Sequence, residues 1–408
     1  MSSKESILVQ KFGGTSVGSI ERIQAIADKA IETKKNIENL IIIVSAMGKT
    51  TNTLVKLASE ISPTPNPREY DALISTGENV SASLLAMAIQ QKGHKAISLT
   101  GPQARIYTED FHTKAKIINI NTDRINHELK QGNIVIITGF QGINESNDVT
   151  TIGRGGSDTS AVVLAAAMES KTCEIYTDVD GIYTTDPNKV KEAKKMDAIS
   201  YDEMLELASL GAKVLHPRAV ECAKQHQIEL HVRSSFSNNE GTWVKEANTM
   251  EVNKAVTGIT TNEEEAIISI INIQDKPGIA ATIFKKLAAE NINIDMIIQS
   301  VEKDNTNNIS FSVNESELTK AQWVSEKITK ELSGASIKVD NNIAKISIVG
   351  VGMLSRPGIA AKMFDCLAKE NINIKRITTS EIKISCAIDK QHAQKALEKL
   401  HAEFELNQ

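Results

Sequence analysis

Three stretches of this chain place charged side chains where glycines let the backbone approach a ligand. In Thr150–Met168, TTIGRGGSDTSAVVLAAAM, Arg154 and Asp158 flank a glycine pair that opens into an apolar run. Gly153, Gly155 and Gly156 allow a sharp turn, and Ser157, Asp158 and Thr159 are capping types, so a helix is expected to begin here. Its N-terminal N–H groups and dipole favour an anion, and Arg154 adds a planar fork for a carboxylate or phosphate. In KFGGTS, Lys11 precedes Gly13 and Gly14, the reverse of a Walker loop, in which the lysine follows the glycines. In STGE, Glu78 enters the first turn of an apolar helix beside Gly77. A fourth segment, DVDGIYTTDP, gathers Asp178, Asp180, Tyr183, Thr184 and Asp186, and Lys213 follows the helix-ending Gly211. Lysines and aspartates on such loops fit phosphoryl transfer, which needs positioning and charge neutralisation more than covalent chemistry.

The elements that must position these groups alternate strand and helix. Strands are expected over Ile7–Phe12, Asn39–Met47, Lys95–Leu99, Ile134–Thr138 and Cys173–Thr177, with helices over 20–33, 72–91 and 199–210. Ile61–Asp71, with three prolines, reads as a surface excursion. The alternation predicts a mostly parallel sheet covered on both faces, with ligands beyond the carboxyl ends of the strands, where Ser45 also falls.

From about residue 250 the pattern changes. Asp275–Ile297 and Ser355–Ile377 share PGIAA…F..LA.ENINI at an offset of 80 residues. This internal duplication, strand–turn–helix–strand in each copy, predicts two ferredoxin-like α+β modules. The expected division is residues 1–250, 251–339 and 340–408, with a strand at 255–260 available to complete the second module. A chain of 408 residues is long enough for such a division.

Composition bounds the function. A net charge of -5 argues against nucleic acid as the main partner. No run approaches the roughly 20 apolar residues of a membrane span, and no apolar leader is read at the N-terminus. The four cysteines are far apart and read as reduced thiols of a cytoplasmic protein.

Taken together, KFGGTS, STGE, GRGGSDTSA, YTDVDGIYTTDP and AKVLHP, in this order, resemble the aspartokinase family, the aspartate-specific branch of the amino-acid kinases. The duplicated module resembles the paired ACT domains of its monofunctional members, so the resemblance spans essentially the whole chain. It implies transfer of the γ-phosphoryl of Mg-ATP to the β-carboxylate of L-aspartate, giving 4-phospho-L-aspartate, the first step towards lysine, threonine and methionine. Catalytic roles would fall to Lys11, on the transferring phosphoryl group, and Asp158, which orders the site. Ser45, Glu78, Arg154, Gly155 and Ser157 would hold aspartate, with Glu78 on its ammonium and Arg154 on its α-carboxylate. Gly13, Gly14, Thr15, Ser16, Thr177, Asp178, Tyr183, Lys189 and Lys213 would line the nucleotide site. After TTDP many members carry arginine, and here Asn188 and Lys189 stand in its place, with Lys189 as the substitute. No protein-held metal is expected; Mg2+ would arrive on ATP.

The ACT pair implies feedback by lysine, threonine or both. The effector residues implied are Asp275, Gly278, Ile279, Ala280, Asn293, Ile294, Asp295 and Gln299, facing Thr378 and Glu381 of another copy, which makes a homodimer or higher homo-oligomer. Two alternatives are a kinase of this fold for another acidic substrate and an amino-acid sensor without catalysis. The combination of Lys11, Glu78, Arg154 and Asp158 in one chain speaks against the sensor.

Overall fold

The computed structural model describes residues 7–212, 214–247, 254–301, 306–332 and 334–408. Two compact units result: Met1–Tyr183 with Lys195–Glu251, and Thr184–Lys194 with Val252–Gln408. The first unit follows β1 (Ile7–Phe12), α1 (Ile20–Asn36), β2 (Asn39–Val44), α2 (Thr50–Ile61), α3 (Pro67–Ile74), α4 (Thr76–Gln91) and β3 (Ala96–Leu99). It continues through β4 (Ile106–Thr108), β5 (Ile117–Ile120), α5 (Asp123–Lys130), β6 (Ile134–Thr138), β7 (Gln141–Ile143), β8 (Val149–Thr151) and α6 (Gly156–Ala167). Then come β9 (Thr172–Thr177), β10 (Ala198–Ser200), α7 (Tyr201–Ser209), α8 (Pro217–His226), β11 (Glu229–Ser234) and β12 (Thr242–Lys245).

Its main sheet has the order β10-β12-β11-β9-β1-β2-β6-β3, and only the β11–β12 pairing is antiparallel. The central strands are near-continuous apolar runs because both faces are covered. Phe12, Leu40, Ile42 and Ile136 pack under α1 and α4 with Ile23, Ile26, Leu85 and Ile89. Val9, Ile41 and Ile43 alternate to the other face and are equally buried, on the side where α6 lies against β1, β2 and β9. A small sheet, β5-β4-β7-β8, leads into the glycine-rich loop before α6.

Two local expectations are corrected. The excursion over 61–71 shrinks to a short link, because Pro67 starts α3 and Asn66 caps it, its side chain accepting from the Arg68 N–H at 3.0 Å. At the first helical position proline starts a helix instead of breaking it, because the N–H it lacks would have no partner there. Helix α4 therefore begins at Thr76, just after α3 ends, and the pair forms one helical stretch, Pro67–Gln91, apolar and long enough to cross a membrane by length and composition. Half of its most apolar window is buried inside the structure. The start of α6 also differs: Gly155, in the left-handed region at φ 67°, takes the N-cap, and no side chain caps it.

The second unit comprises β13 (Gly258–Gln274), α9 (Ile279–Ala289), β14 (Ile297–Val301), β15 (Thr306–Asn314), α10 (Leu318–Glu331), β16 (Ser336–Val349), α11 (Ile359–Lys369), β17 (Ile374–Thr379), β18 (Lys383–Asp389) and α12 (Ala393–Glu403). They form one six-stranded sheet, β14-β15-β13-β16-β18-β17. The two longest strands serve both copies. The Gly258–Asn262 end of β13 pairs with Val349–Lys345, and its other end pairs with β15 and with Ser336–Asp340. Ile268 and Ile270 face α9 and α10, while Ile346 and Ile348 face α11 and α12, giving each copy its own core. Residues Thr184–Lys194 join this second unit: Val190 enters the core around α11 and α12, and Thr184 Oγ1 lies 3.0 Å from His401 Nε2.

Candidate active site

Four adjacent parallel strands, β9-β1-β2-β6, end on the same side of the sheet, and the loops beyond them converge. From β1, Lys11 reaches Asp158 in the first turn of α6, Nζ to Oδ1 2.5 Å, with both side chains nearly buried. After β1 the chain turns through Gly13, whose N–H donates to Tyr176 O at 3.1 Å. Gly14 sits so close to the loop after β2 that a Cβ there would fall 2.9 Å from Ala46 O, and its own carbonyl accepts from Gly48 N. The glycines thus fix the β1 and β2 loops against each other. Ser45 N–H donates to Phe12 O at 3.1 Å, which places Ser45 at this seam.

Glu78 comes in from the first turn of α4. Only 3% of it is exposed; Oε1 accepts from Ala46 N–H at 3.2 Å and Oε2 has no partner. Burial pushes its carboxyl up to about 7, opposed by backbone hydrogen bonds from Glu78 and Ala46. A buried carboxylate with a free oxygen is a seat for a cationic or hydrogen-bond-donating group. Arg154 is exposed in the loop before α6, and Ser157 is buried in its first turn. Asp178 accepts from Thr177 Oγ1 at 3.1 Å beyond β9, and Ser16 Oγ meets Ser235 Oγ at 2.6 Å. Tyr183 forms an isolated bridge with Lys195. Among the described residues no group of three or more His, Cys, Asp and Glu side chains is placed to hold a metal ion.

Two of the nucleotide residues expected from the sequence are not seen among the first unit's loops described above. Lys213 lies outside the described residues. Lys189 belongs to the second unit, where its amine meets Glu263 at 2.7 Å and Thr261 at 3.1 Å.

The structure adds residues that sequence reasoning passed over. His216 caps α8, Nδ1 accepting from Arg218 N–H at 3.3 Å, and its ring lies on Gly155 so tightly that a Cβ there would fall 2.1 Å from Cγ. Burial lowers its pKa. Arg218 donates to Ile152 O at 2.7 Å, so one helix end pins the Gly153–Gly156 loop twice. Asp71, fully buried in α3, accepts from Thr113 N, Thr151 N and Thr151 Oγ1 and contacts His112 Nδ1 at 2.9 Å. The LHPR run after Lys213 was the available signal for the first two; nothing local marked Asp71.

In the second unit, Asp275, Gly278, Ile279, Ala280 and Gln299 line one cavity of about 410 Å³ with Asn307, whose Nδ2 donates to Asp275 at 2.8 Å. Asn293, Ile294 and Asp295 precede β14, outside that lining, and Asp295 is ion-paired with Lys345. Thr378 and Glu381 lie on and just beyond β17, the opposite sheet edge from β14, so one chain does not bring them to the cavity.

Comparison with known proteins agrees with this architecture. Residues 6–234 match the amino acid kinase family, and residues 268–327 and 346–404 each match the ACT domain. An aspartokinase of Bacillus sp. (strain MGA3) is 51% identical, with 98% of each chain covered. The crystal structure of E. coli aspartokinase III in complex with aspartate and ADP superposes with a TM-score of 0.83 at 26% identity, covering 98% of this chain and 99% of that one. The same enzyme in complex with lysine and aspartate gives a TM-score of 0.74 at 25% identity, over 98% of this chain and 99% of that one. With both halves of the fold and full-length relatives in agreement, the chain belongs to the aspartokinase family, phosphotransferases that act on a carboxyl group.

Proposed function

We propose that the site transfers the γ-phosphoryl of Mg-ATP to the β-carboxylate of L-aspartate. What supports this is the Lys11–Asp158 pair at the end of β1 together with the under-coordinated Glu78 carboxylate held on the loop after the adjacent β2. Glu78 accepts the substrate ammonium, which restores a partner to Oε2 and offsets the burial of its charge. Arg154 clamps the α-carboxylate in bidentate fashion, with Gly155, Ser157 and Ser45 shaping the remaining wall. That leaves the β-carboxylate directed at Lys11. The ammonium of Lys11, held by Asp158, neutralises charge that develops on the phosphoryl oxygens, while Gly13, Gly14, Thr15 and Ser16 offer backbone and hydroxyl donors. Thr177, Asp178 and Tyr183 line the rest of the nucleotide site, and Lys213 is assigned to the nucleotide from its sequence position. Lys189, ion-paired with Glu263 in the second unit, is a further candidate for the nucleotide. Mg2+ arrives with ATP, held mainly by its phosphates.

The E. coli neighbour that binds lysine together with aspartate supports end-product control in this chain. We assign the cavity around Asp275 as the effector seat for lysine, threonine or both, with Thr378 and Glu381 supplied by a second chain in a homo-oligomer. A coupling of about 1–3 kcal/mol would give a several-fold or larger change in activity. The activity belongs in the cytoplasm, at the head of lysine, threonine and methionine synthesis. The test is ATP-dependent acyl-phosphate formation, trapped with hydroxylamine, from aspartate, glutamate and acetylglutamate, each with and without lysine and threonine. Product from aspartate alone, suppressed by those amino acids, is expected. Product from another acid would replace the substrate, and no product from any would favour the sensor.

A further inference from the structure

The two ACT copies share the long strands β13 and β16, and the duplication allows the two halves of that junction to be compared. Ala266–Ile271 aligns on Ala344–Val349, and Asp275–Ile297 on Ser355–Ile377. The structure agrees with the alignment: Ser269 meets Ser310 at 2.8 Å, and Ser347 meets Ser385 at the same 2.8 Å. Ile267 is thus the counterpart of Lys345, Asp295 of Lys375, and Met296 of Arg376. Through the ladder, where Ser269 faces Lys338 and Ser347 faces Thr260, Lys338 is the counterpart of Thr260.

At one half of the junction the side chain of Lys345, 2% exposed, fills the space between the copies and is ion-paired with Glu265 and Asp295. At the other half the equivalent position holds Ile267, which is shorter and uncharged. Lys375, replacing the aspartate, turns aside to Asp340 at 2.9 Å and Asp389 at 2.7 Å. What remains is a cavity of about 370 Å³ lined by Ile267, Ser269, Lys338, Asp340, Ile374 and Arg376, among others. Its volume lies at the lower end of the roughly 300–1,000 Å³ typical of small-molecule sites. The charge has been inverted as well as the space opened. Two carboxylates face one lysine in the filled half, whereas the open half presents Lys338, Lys375 and Arg376 against Asp340 and, beyond the cavity lining, Asp389. Among the described residues neither Lys338 nor Arg376 makes an ion pair, and Arg376 spends one Nη1 hydrogen bond on Lys375 O.

We propose that this cavity is an anion site, distinct from the effector cavity at Asp275, and that it takes a small oxyanion with a short apolar body. The Arg376 fork and Lys338 take the carboxylate or phosphate, and Ile267 and Ile374 cover the apolar part. The occupant plays the part that Lys345 plays in the other half, with the opposite charge: it fills the junction between the two copies.

The test uses the full-length protein with Ile δ1-methyl labelling, the Ile267 and Ile374 signals being assigned through Ile267→Val and Ile374→Val. Inorganic phosphate and citrate are titrated separately, at constant ionic strength set with chloride, so that general screening is common to all points. These methyls report the cavity itself, so anions bound at the kinase centre do not register. Saturable shifts of both methyls are expected, and the arm that saturates names phosphate or carboxylate as the ligand chemistry. Arg376→Met with Lys338→Thr installs the residues of the filled half and should raise the midpoint about tenfold or more. Arg376→Lys should retain binding more weakly. Absence of saturable shifts in both arms, or shifts unchanged in the double variant, would overturn the proposal.

Discussion

Glu78 Oε1 accepts from the Ala46 N–H at 3.2 Å, while its second oxygen, equally buried, has no partner. The bond ties α4 to the loop after β2, and the free oxygen is the one proposed above to take the substrate ammonium. Its folded pKa of about 7 lies above the usual 4.5. Ionised Glu78 therefore costs stability: the penalty is absent below 4.5, grows as pH rises towards 7, and is constant above that. It amounts to about 3 kcal/mol at full ionisation, at 1.36 kcal/mol per pKa unit. Glu78→Gln should raise the melting temperature at pH 8, yet raise KM for aspartate at least tenfold. In the wild type, kcat/KM for aspartate should fall below a pKa near 7 as the acceptor is protonated. A flat profile between pH 6 and 8 would contradict the ammonium assignment.

Gly155 carries φ 67° and the His216 ring at its back. Gly155→Ala combines left-handed strain with a clash, and should cut kcat/KM by about 100-fold, the scale on which misplacements near 1 Å act. Circular dichroism would show the fold retained. Wild-type kinetics would mean that the loop before α6 does not set the site.

Asp275 lines the cavity proposed as the effector seat and accepts from Asn307 Nδ2. Asp275→Ala should relieve inhibition by lysine or threonine while uninhibited turnover stays within twofold. Inhibition curves measured at saturating aspartate and ATP check it, and an unchanged half-inhibitory concentration would refute the effector seat.

Lys345 compensates Glu265, which is itself 6% exposed and accepts from Asn262 Nδ2 at 2.8 Å. Lys345→Met strands that carboxylate and should destabilise the second unit by about 3–5 kcal/mol, while Lys345→Met with Glu265→Gln should recover most of the loss. Denaturant unfolding in a Trp243→Phe background, where Trp323 in α10 reports the second unit, separates the two. A double variant as unstable as the single one would contradict the ion-pair account.

What could be read from the chain alone followed from locality. Lys11 before its glycines, Arg154 and Asp158 around theirs, and the PGIAA duplication are local patterns, and the strands ending at them are short apolar runs. What escaped depends on partners far away in sequence. Asp71 looked like the end of a proline-marked loop, but its value comes from Thr113 and Thr151. His216 acts through Gly155, about 60 residues earlier. Lys189 is expected at the nucleotide from its place after TTDP, and its ion pair with Glu263 could not be foreseen from that local pattern. The sharing of β13 and β16 between the two copies follows from sheet pairing, for which periodicity gives apolar faces but no partner.

On the proposed function, phosphoryl transfer depends on Lys11 held by Asp158. The most direct measurement is single-turnover transfer from γ-labelled ATP to aspartate by the wild type, Lys11→Ala and Asp158→Asn, with nucleotide binding measured alongside. The account predicts that Lys11→Ala retains less than about a tenth of the wild-type rate while the protein stays folded, consistent with the loss of a preorganised charge in the transition state. Asp158→Asn should fall in the same direction. Transfer by Lys11→Ala above that tenth, at saturating ATP and aspartate, would contradict it.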